Sequence, residues 1–305
     1  MEISSLGVVG AGQMGSGIAL VIARGGYQVV MHDIEADILQ RGVNSIVRFL
    51  DKEISNGKMT DADRIDILQR IQTSTELNSF QQADFIVEAA TENESIKFNI
   101  FRDLDRICKP AAVLSTNTSS IPIGRIAAQT RRPDKVIGMH FMNPPPLIKL
   151  VEIIRSVTTS EETFKTTCQL SEHLGQTWAE AKDFPGFISN RILMTMINEA
   201  IFTLYHGVGS RDAIDTVMQM GMNHPMGPLA LADLIGLDTC LAVMQTLYDG
   251  YKDAKYSPCP LLRQYVDAGW LGRKTGRGFY SYDQPRRIHF LHGKQERHPD
   301  ISSRR

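Results

Sequence analysis

The stretch from Leu6 to Asp33 constrains this chain more than any other. The apolar run Leu6-Gly7-Val8-Val9 breaks at Gly10-Ala11-Gly12-Gln13-Met14-Gly15, after which Met14, Ile18, Val21 and Ile22 recur at helical spacing. Gly25-Gly26 supplies a helix stop, and Tyr27 to His32 reads as a second strand that carries Asp33 to its C-terminal end. Each spaced glycine has its own task in such a unit. Gly10 permits a tight turn, Gly12 lets backbone approach a pyrophosphate, and Gly15 lets helix pack on strand. Amides at the start of the helix favour a bound anion, because they are unpaired donors at the positive end of the helix dipole. A carboxylate at Asp33 accepts from ribose hydroxyls and repels a 2′-phosphate, which favours NAD over NADP. A ligand-free glycine turn explains the three glycines but not the strand, helix and acid around them. The pattern predicts a dinucleotide-binding βαβ unit at the head of a doubly wound, Rossmann-type α/β domain.

With 305 residues and 42% hydrophobic content, the chain is long enough for a full core and two domains. A net charge of -1 gives no global basic field of the kind that binds nucleic acid or an anionic membrane. Cys108, Cys168, Cys240 and Cys259 show no metal-ligand or disulfide spacing and are expected to be reduced and mostly buried. No secretory signal is expected at Met1 to Ser5, and the apolar-leaning stretch Met226 to Met244 is interrupted by Asp233 and Asp238, against a membrane span.

The next convincing strand after Asp33 is Asp84 to Glu88, a gap of about fifty residues where a minimal crossover needs about a dozen. A helical-hairpin insertion is predicted to fill it. Its first helix carries Leu39, Val43, Ile46, Leu50 and Ile54, its turn is Asn56-Gly57-Lys58, and its second helix starts at a Thr60/Asp63 capping pair and carries Ile65, Leu68 and Ile71. Arg41, Ser45, Arg48 and Lys52 fall on one stripe, with Lys58 at the turn; a solvated face and an anion-binding stripe both fit.

Ligands of open α/β sheets bind beyond strand C-termini, which places Glu92 and Lys97, after the strand ending at Glu88, where they either meet the cofactor or stay as ordinary surface charges. Asn117-Thr118-Ser119-Ser120 follows the strand Ala112 to Ser115 and is either a helix cap or a substrate-orienting loop. The strand Val136 to Met139 ends at His140, three prolines stiffen the connection at Pro144 to Pro146, and Leu150 to Ile154 reads as a returning strand. His140 and Glu152 then face each other from adjacent elements. A lone histidine at a strand end is commonly a packed, hydrogen-bonded one; a carboxylate on Nδ1 makes it a base instead, by fixing its tautomer and stabilising its protonated form.

These motifs together resemble the 3-hydroxyacyl-CoA dehydrogenases, of the 3-hydroxybutyryl-CoA type, over residues 5 to 282. The matching stretches are Gly10 to Gly15 with Asp33, Asn117 to Ser120, Gly138 to Pro144, Lys149 to Glu152, Pro185 to Arg191, His224 to Pro228 and Gly272 to Tyr280. The resemblance implies that His140 is the catalytic base, Glu152 its partner, and Ser119 and Asn190 substrate-holding residues. It implies that Gly10, Ala11, Gly12, Gln13, Met14, Gly15, Asp33, Glu92, Lys97, Ser119, Asn143 and Lys274 bind NAD, and that Lys52 meets the phosphates of an acyl-CoA. Asn56 stands where a second lysine is common in the family, and Met142 where phenylalanine is frequent. The activity implied is reversible oxidation of a short-chain (S)-3-hydroxyacyl-CoA to the 3-oxoacyl-CoA in fatty-acid metabolism, by a cytoplasmic homodimer without a metal. The rival readings are a relative acting on carnitine or L-gulonate, and a noncatalytic NAD-binding structural protein.

Residues 1–184 are therefore expected to form the NAD-binding domain and residues 185–283 an all-α domain, with helical patterns to Tyr205 and over Arg211 to Met220, Leu229 to Tyr248 and Pro260 to Ala268. Met194, Ile197, Ile201 and Leu204 read as core. Residues 284–305 carry six basic residues, two acids and His289, His292 and His298 without metal-site spacing. A disordered tail and a weak polyanion-binding tail both fit that composition.

Overall fold

In the computed structural model, which describes residues 3–282, the opening apolar run forms strand β1 (Ser5–Val9), the glycine turn leads into helix α1 (Gln13–Arg24), and β2 (Gln28–His32) returns parallel to β1. Gly26, at φ +89°, makes the turn that a residue with a Cβ takes poorly. Every residue of α1 from Gly15 to Ala23 is buried, a wider surface than the single stripe read from the sequence. The helix is covered on one side by the sheet and on another by α2 (Ala36–Ser55).

Leu39, Ile46 and Leu50 are the buried apolar positions of α2, and Gly57, at φ +70°, turns the chain toward α3 (Asp61–Gln69). The Thr60 hydroxyl accepts from the Asp63 amide at 3.2 Å while the Asp63 carboxylate accepts from the Thr60 amide at 2.9 Å, a reciprocal cap. The expected second helix is corrected at its end. Arg70 terminates it, and Ile71 belongs to β3 (Ile71–Ser74), a short edge strand parallel to β2. The hairpin thus lies within the crossover that joins the neighbouring strands β2 and β3.

The sheet continues through β4 (Phe85–Glu88), α4 (Glu94–Ile107), β5 (Val113–Thr116), α5 (Ile123–Ala127), β6 (Val136–Phe141), β7 (Leu150–Arg155), α6 (Glu161–His173) and β8 (Thr177–Lys182). Strand order is β3-β2-β1-β4-β5-β6-β7-β8, parallel at every pairing except β6 with β7. The chain runs outward from β1 to β3 on one side and from β4 onward on the other, so the topological switch point, where such sheets bind ligands, lies beyond the C-terminal ends of β1 and β4. Successive residues of β4 alternate between the two core layers: Phe85 and Val87 join Ile18, Met31 and Met139, whereas Ile86 joins Phe80, Phe101 and Leu114.

Beyond β8 the described elements are helical apart from isolated bridges near Gly272, Arg277 and Ser281: α7 (Ser189–Tyr205), α8 (Arg211–Thr216) extended by one π turn over Val217–Gly221, α9 (Pro228–Ile235), α10 (Leu237–Tyr251) and α11 (Pro260–Asp267). The helical stretch expected over Leu229 to Tyr248 is two helices, bent by 98° at Gly236, whose φ is +104°. Among the described residues no single helix is long and apolar enough to cross a membrane.

Among the described residues, packing divides the chain into two compact units, residues 3–199 with 242–258, and residues 200–241 with 259–282. In the second unit, buried Asp233 accepts from the Phe279 and Tyr280 amides, both at 2.9 Å, and from the Tyr282 hydroxyl at 3.0 Å. A Cβ on Gly278 would stand 1.9 Å from Asp233 Oδ1, which explains a glycine inside that segment. The four cysteines are buried. The tail 284–305, with His289, His292 and His298, lies outside the described residues.

Candidate active site

The glycine turn is built for close approach. Gly10 has φ +98°, and a Cβ there would lie 2.7 Å from the Ala89 carbonyl oxygen; on Gly15 it would lie 1.8 Å from the Gly10 carbonyl oxygen. Gly12 differs. A Cβ on it would meet nothing within 4 Å, so this exposed glycine faces open space at the start of α1, where no side chain caps the first helical amides. That cradle fits a pyrophosphate, which helix-terminal amides and dipole both attract. Asp33 follows β2 beside it, and its Oδ2 accepts from the Ala11 amide at 2.9 Å. One carboxylate oxygen therefore braces the glycine turn. Across the mouth, Gln13 Nε2 donates to Asn143 Oδ1 at 3.1 Å.

Below the turn lies an ion pair. Lys97, 1% exposed, projects from α4 onto Glu88 Oε2 at the end of β4; the same oxygen accepts from Thr116 Oγ1 at 2.8 Å, and Glu88 Oε1 accepts from the Ala90 amide at 2.9 Å. Lys97 is thus neither the surface charge nor the open contact that its position beyond a strand end suggested. Its ammonium is satisfied inside the sheet, where an unpaired charge would be costly. In the sequence Glu88 reads only as the last residue of a strand, and the signal for its role is a carboxylate closing an otherwise apolar run.

Glu92 is placed differently. Its Oε1 accepts from Thr118 Oγ1 at 2.7 Å, the Ser119 and Ser120 amides at 2.9 and 3.1 Å, Ser120 Oγ at 2.8 Å and Ser119 Oγ at 3.2 Å. Asn117 Oδ1 accepts from the Phe141 amide at 2.8 Å, tying the end of β5 to the end of β6. The loop after β5 therefore both braces its neighbours and displays Ser119, whose carbonyl accepts from Asn190 Nδ2 at 3.4 Å.

His140 and Glu152 are direct cross-strand partners on β6 and β7. Side chains so paired lie on one face at close range, and Nδ1 stands 2.8 Å from Glu152 Oε2. Glu152, 3% exposed, also receives the Ser189 hydroxyl on Oε2 at 2.8 Å and the Ile188 and Ser189 amides on Oε1 at 3.1 and 2.8 Å. Gly186 and Phe187, at φ +75° and +49°, form the turn before α7 that presents those amides, and the Phe187 ring lies 6.0 Å from the imidazole. Burial pushes the Glu152 carboxyl up, but the hydrogen bonds from His140 and Ser189 outweigh it and hold its pKa below the ordinary value. An ionised carboxylate only accepts, so Nδ1 carries hydrogen and the free lone pair of the neutral ring is on Nε2.

Two predicted positions remain. Lys52 is exposed on α2 with Arg41, Ser45 and Arg48, and no ion pair engages Lys52, Arg41 or Arg48 among the described residues. Lys274 belongs to the second unit, where its ammonium meets both Asp238 carboxylate oxygens at 2.5 and 2.6 Å. Among the described residues no group of three or more His, Cys, Asp or Glu side chains is arranged to hold a metal ion.

A dinucleotide cradle and a carboxylate-held histidine at the C-terminal side of one sheet define an NAD-dependent dehydrogenase. Comparison with known proteins narrows the class. Residues 5–184 match the NAD-binding domain of 3-hydroxyacyl-CoA dehydrogenase and residues 186–282 its C-terminal domain. A probable 3-hydroxybutyryl-CoA dehydrogenase of Bacillus subtilis is 53% identical over 284 residues, covering 93% of this chain and 99% of that protein. The 3-hydroxybutyryl-CoA dehydrogenase of Bradyrhizobium diazoefficiens is 51% identical over 280 residues, 92% and 96% of the two chains. The crystal structure of (S)-3-hydroxybutyryl-CoA dehydrogenase from Ralstonia eutropha superposes with a TM-score of 0.91 at 48% identity, covering 93% of this chain and all of that one. The chain belongs to the 3-hydroxyacyl-CoA dehydrogenase family.

Proposed function

We propose that this chain oxidises a short-chain (S)-3-hydroxyacyl-CoA, foremost 3-hydroxybutyryl-CoA, reversibly to the 3-oxoacyl-CoA, with His140 as the base. The observation that carries the reading is the 2.8 Å contact between His140 Nδ1 and the buried Glu152 carboxylate. Bound NAD supplies the hydride acceptor for the hydrogen on C3. His140 Nε2 takes the hydroxyl proton, Nδ1–H donates to Glu152 throughout, and the carboxylate stabilises the imidazolium that forms. Ser119 and Asn190 hold the substrate oxygen; each is tied here by a long bond, 3.2 Å to Glu92 and 3.4 Å to the Ser119 carbonyl, that substrate can replace.

The cofactor set comprises Gly10 to Gly15, Asp33, Glu92, Asn143 and Lys274, with Lys97 acting from beneath through Glu88. Lys52, with Arg41 and Arg48 beside it, meets the CoA phosphates. Residues 1–184 form the cofactor-binding domain and 185–283 the substrate and dimerisation domain. Assembly as a homodimer is supported by apolar side chains left exposed in the second unit, Val208, Met220 and Met222 at 77%, 84% and 60%. The enzyme works in the cytoplasm.

The test is turnover of acetoacetyl-CoA, acetoacetate, carnitine and gulonate under both nicotinamide cofactors. Acetoacetyl-CoA with NADH is expected to be fastest; turnover of carnitine or gulonate alone would favour a non-CoA dehydrogenase, and tight NADH binding without turnover a structural protein. His140→Gln should lower kcat by about two to four orders of magnitude, roughly 3 to 5 kcal/mol of barrier. A folded variant that keeps more than about a tenth of wild-type kcat contradicts the assignment.

A further inference from the structure

Serine hydroxyls within a helix commonly bond to backbone of their own turn. Ser189, the first residue of α7, instead gives its hydroxyl to Glu152 Oε2, the oxygen that also accepts from His140 Nδ1, each at 2.8 Å. The other oxygen, Oε1, is filled by the Ile188 and Ser189 amides. Backbone thus anchors one end of the carboxylate while a side chain acts on the end that faces the histidine.

We propose that Ser189 is a positioning residue of the dyad: its hydroxyl fixes Oε2 toward His140 and, by sharing that oxygen, lowers the proton affinity of the imidazole. This rests on the reading of His140 as the base. Imidazolium is stabilised by the negative charge concentrated on Oε2, and a second donor there draws part of that charge away. The ring is then left unprotonated, the form that oxidation needs, at a lower pH. His140 on β6 is the titratable group that meets Glu152; β8 presents Ala179 opposite it, and α7 contributes the Ser189 hydroxyl with the two amides.

Ser189→Val and Ser189→Thr separate the hydroxyl from the bulk, since the two replacements differ only by methyl for hydroxyl. In NAD-linked oxidation of 3-hydroxybutyryl-CoA, the rising limb of kcat/KM against pH should move up by about half a unit in Ser189→Val and stay in place in Ser189→Thr. Should Ser189→Val fail to fold, as judged by thermal melting and NADH fluorescence, Ser189→Ala replaces it with the same expected shift. Coincident profiles for the hydroxyl-bearing and hydroxyl-free variants, or a downward shift, overturn the proposal. His140→Gln, assayed alongside, separates the two failures. If it is nearly inactive and the Ser189→Val limb is unmoved, the base assignment stands and the role of Ser189 falls; if it retains most activity, both fall.

Discussion

Replacing Lys97 by methionine keeps the aliphatic stem inside the sheet and removes only the ammonium, leaving Glu88 buried with two donors, Thr116 Oγ1 at 2.8 Å and the Ala90 amide at 2.9 Å. Breaking a buried pair by deleting one partner costs about 3 to 5 kcal/mol, and the two surviving donors place this case near 3. Replacing both partners is cheaper. Glu88→Leu with Lys97→Met leaves no buried charge, and its losses are the acceptors of the Thr116 hydroxyl and the Ala90 amide, about 1 kcal/mol each. Function should follow, because the Ala90 amide held by Glu88 adjoins Gly10, where even a Cβ would come within 2.7 Å of Ala90. Urea unfolding followed by circular dichroism at neutral pH, with NADH titrations on the same samples, gives both readouts. Lys97→Met should be the less stable of the two variants and should bind NADH more weakly than wild type. A loss below about 1 kcal/mol in Lys97→Met, or a double variant as costly as the single one, would refute the assignment of this pair as a buried support of the cradle.

Three further outcomes are expected. Asp33→Ala removes the acceptor of the Ala11 amide and the carboxylate proposed to meet the ribose, so the preference for NADH over NADPH should fall by about tenfold, 1.4 kcal/mol; an unchanged ratio, or a wild type that prefers NADPH, contradicts the role given to Asp33. Lys52→Ala should raise the KM for acyl-CoA and flatten its salt dependence while leaving the KM for NADH alone, and an unmoved salt response would make the α2 stripe a solvated face. Glu152 has a folded pKa depressed below its ordinary 4.5, so its contribution to stability is complete above that value and is lost as pH falls through the depressed one. The stability gap between wild type and Glu152→Gln, measured by urea midpoints, should therefore narrow as pH falls below 4.5 into acid; a gap that does not narrow would mean the carboxylate gains nothing from its four donors.

Much of the fold was legible because its signals are local. The strand, glycine turn, helix and acid of Leu6 to Asp33 follow from short-range periodicity, and so does the Thr60/Asp63 cap. Sequence and structure part where local pattern and pairing compete. Ile71 continues the spacing of Ile65 and Leu68, yet Ile71–Ser74 is a strand because the open edge of β2 offers hydrogen bonds that a frayed helix end cannot match. Leu229 to Tyr248 keeps its apolar pattern across Gly236, and the 98° bend appears only when that glycine takes φ +104°. Neither α6 nor β8 is legible in the sequence, since their apolar residues are interleaved with threonine, glutamate and lysine.

By itself the sequence determined the identity of the dinucleotide turn, the carboxylate that follows β2 and the spacing of His140 and Glu152 across a proline-stiffened turn, all consequences of covalent order and short-range geometry. Only tertiary structure decided what those groups touch. The antiparallel register sets His140 opposite Glu152, where a one-residue slip would have turned the two side chains to opposite faces. The packing of α4 takes Lys97 out of solvent and gives it Glu88, and the start of α7 brings Ser189 to a carboxylate 37 residues earlier in the chain. Proton affinity and charge burial depend on neighbours at distances of about 3 Å, and those neighbours are chosen by how sheet and helices pack, which sequence spacing does not encode.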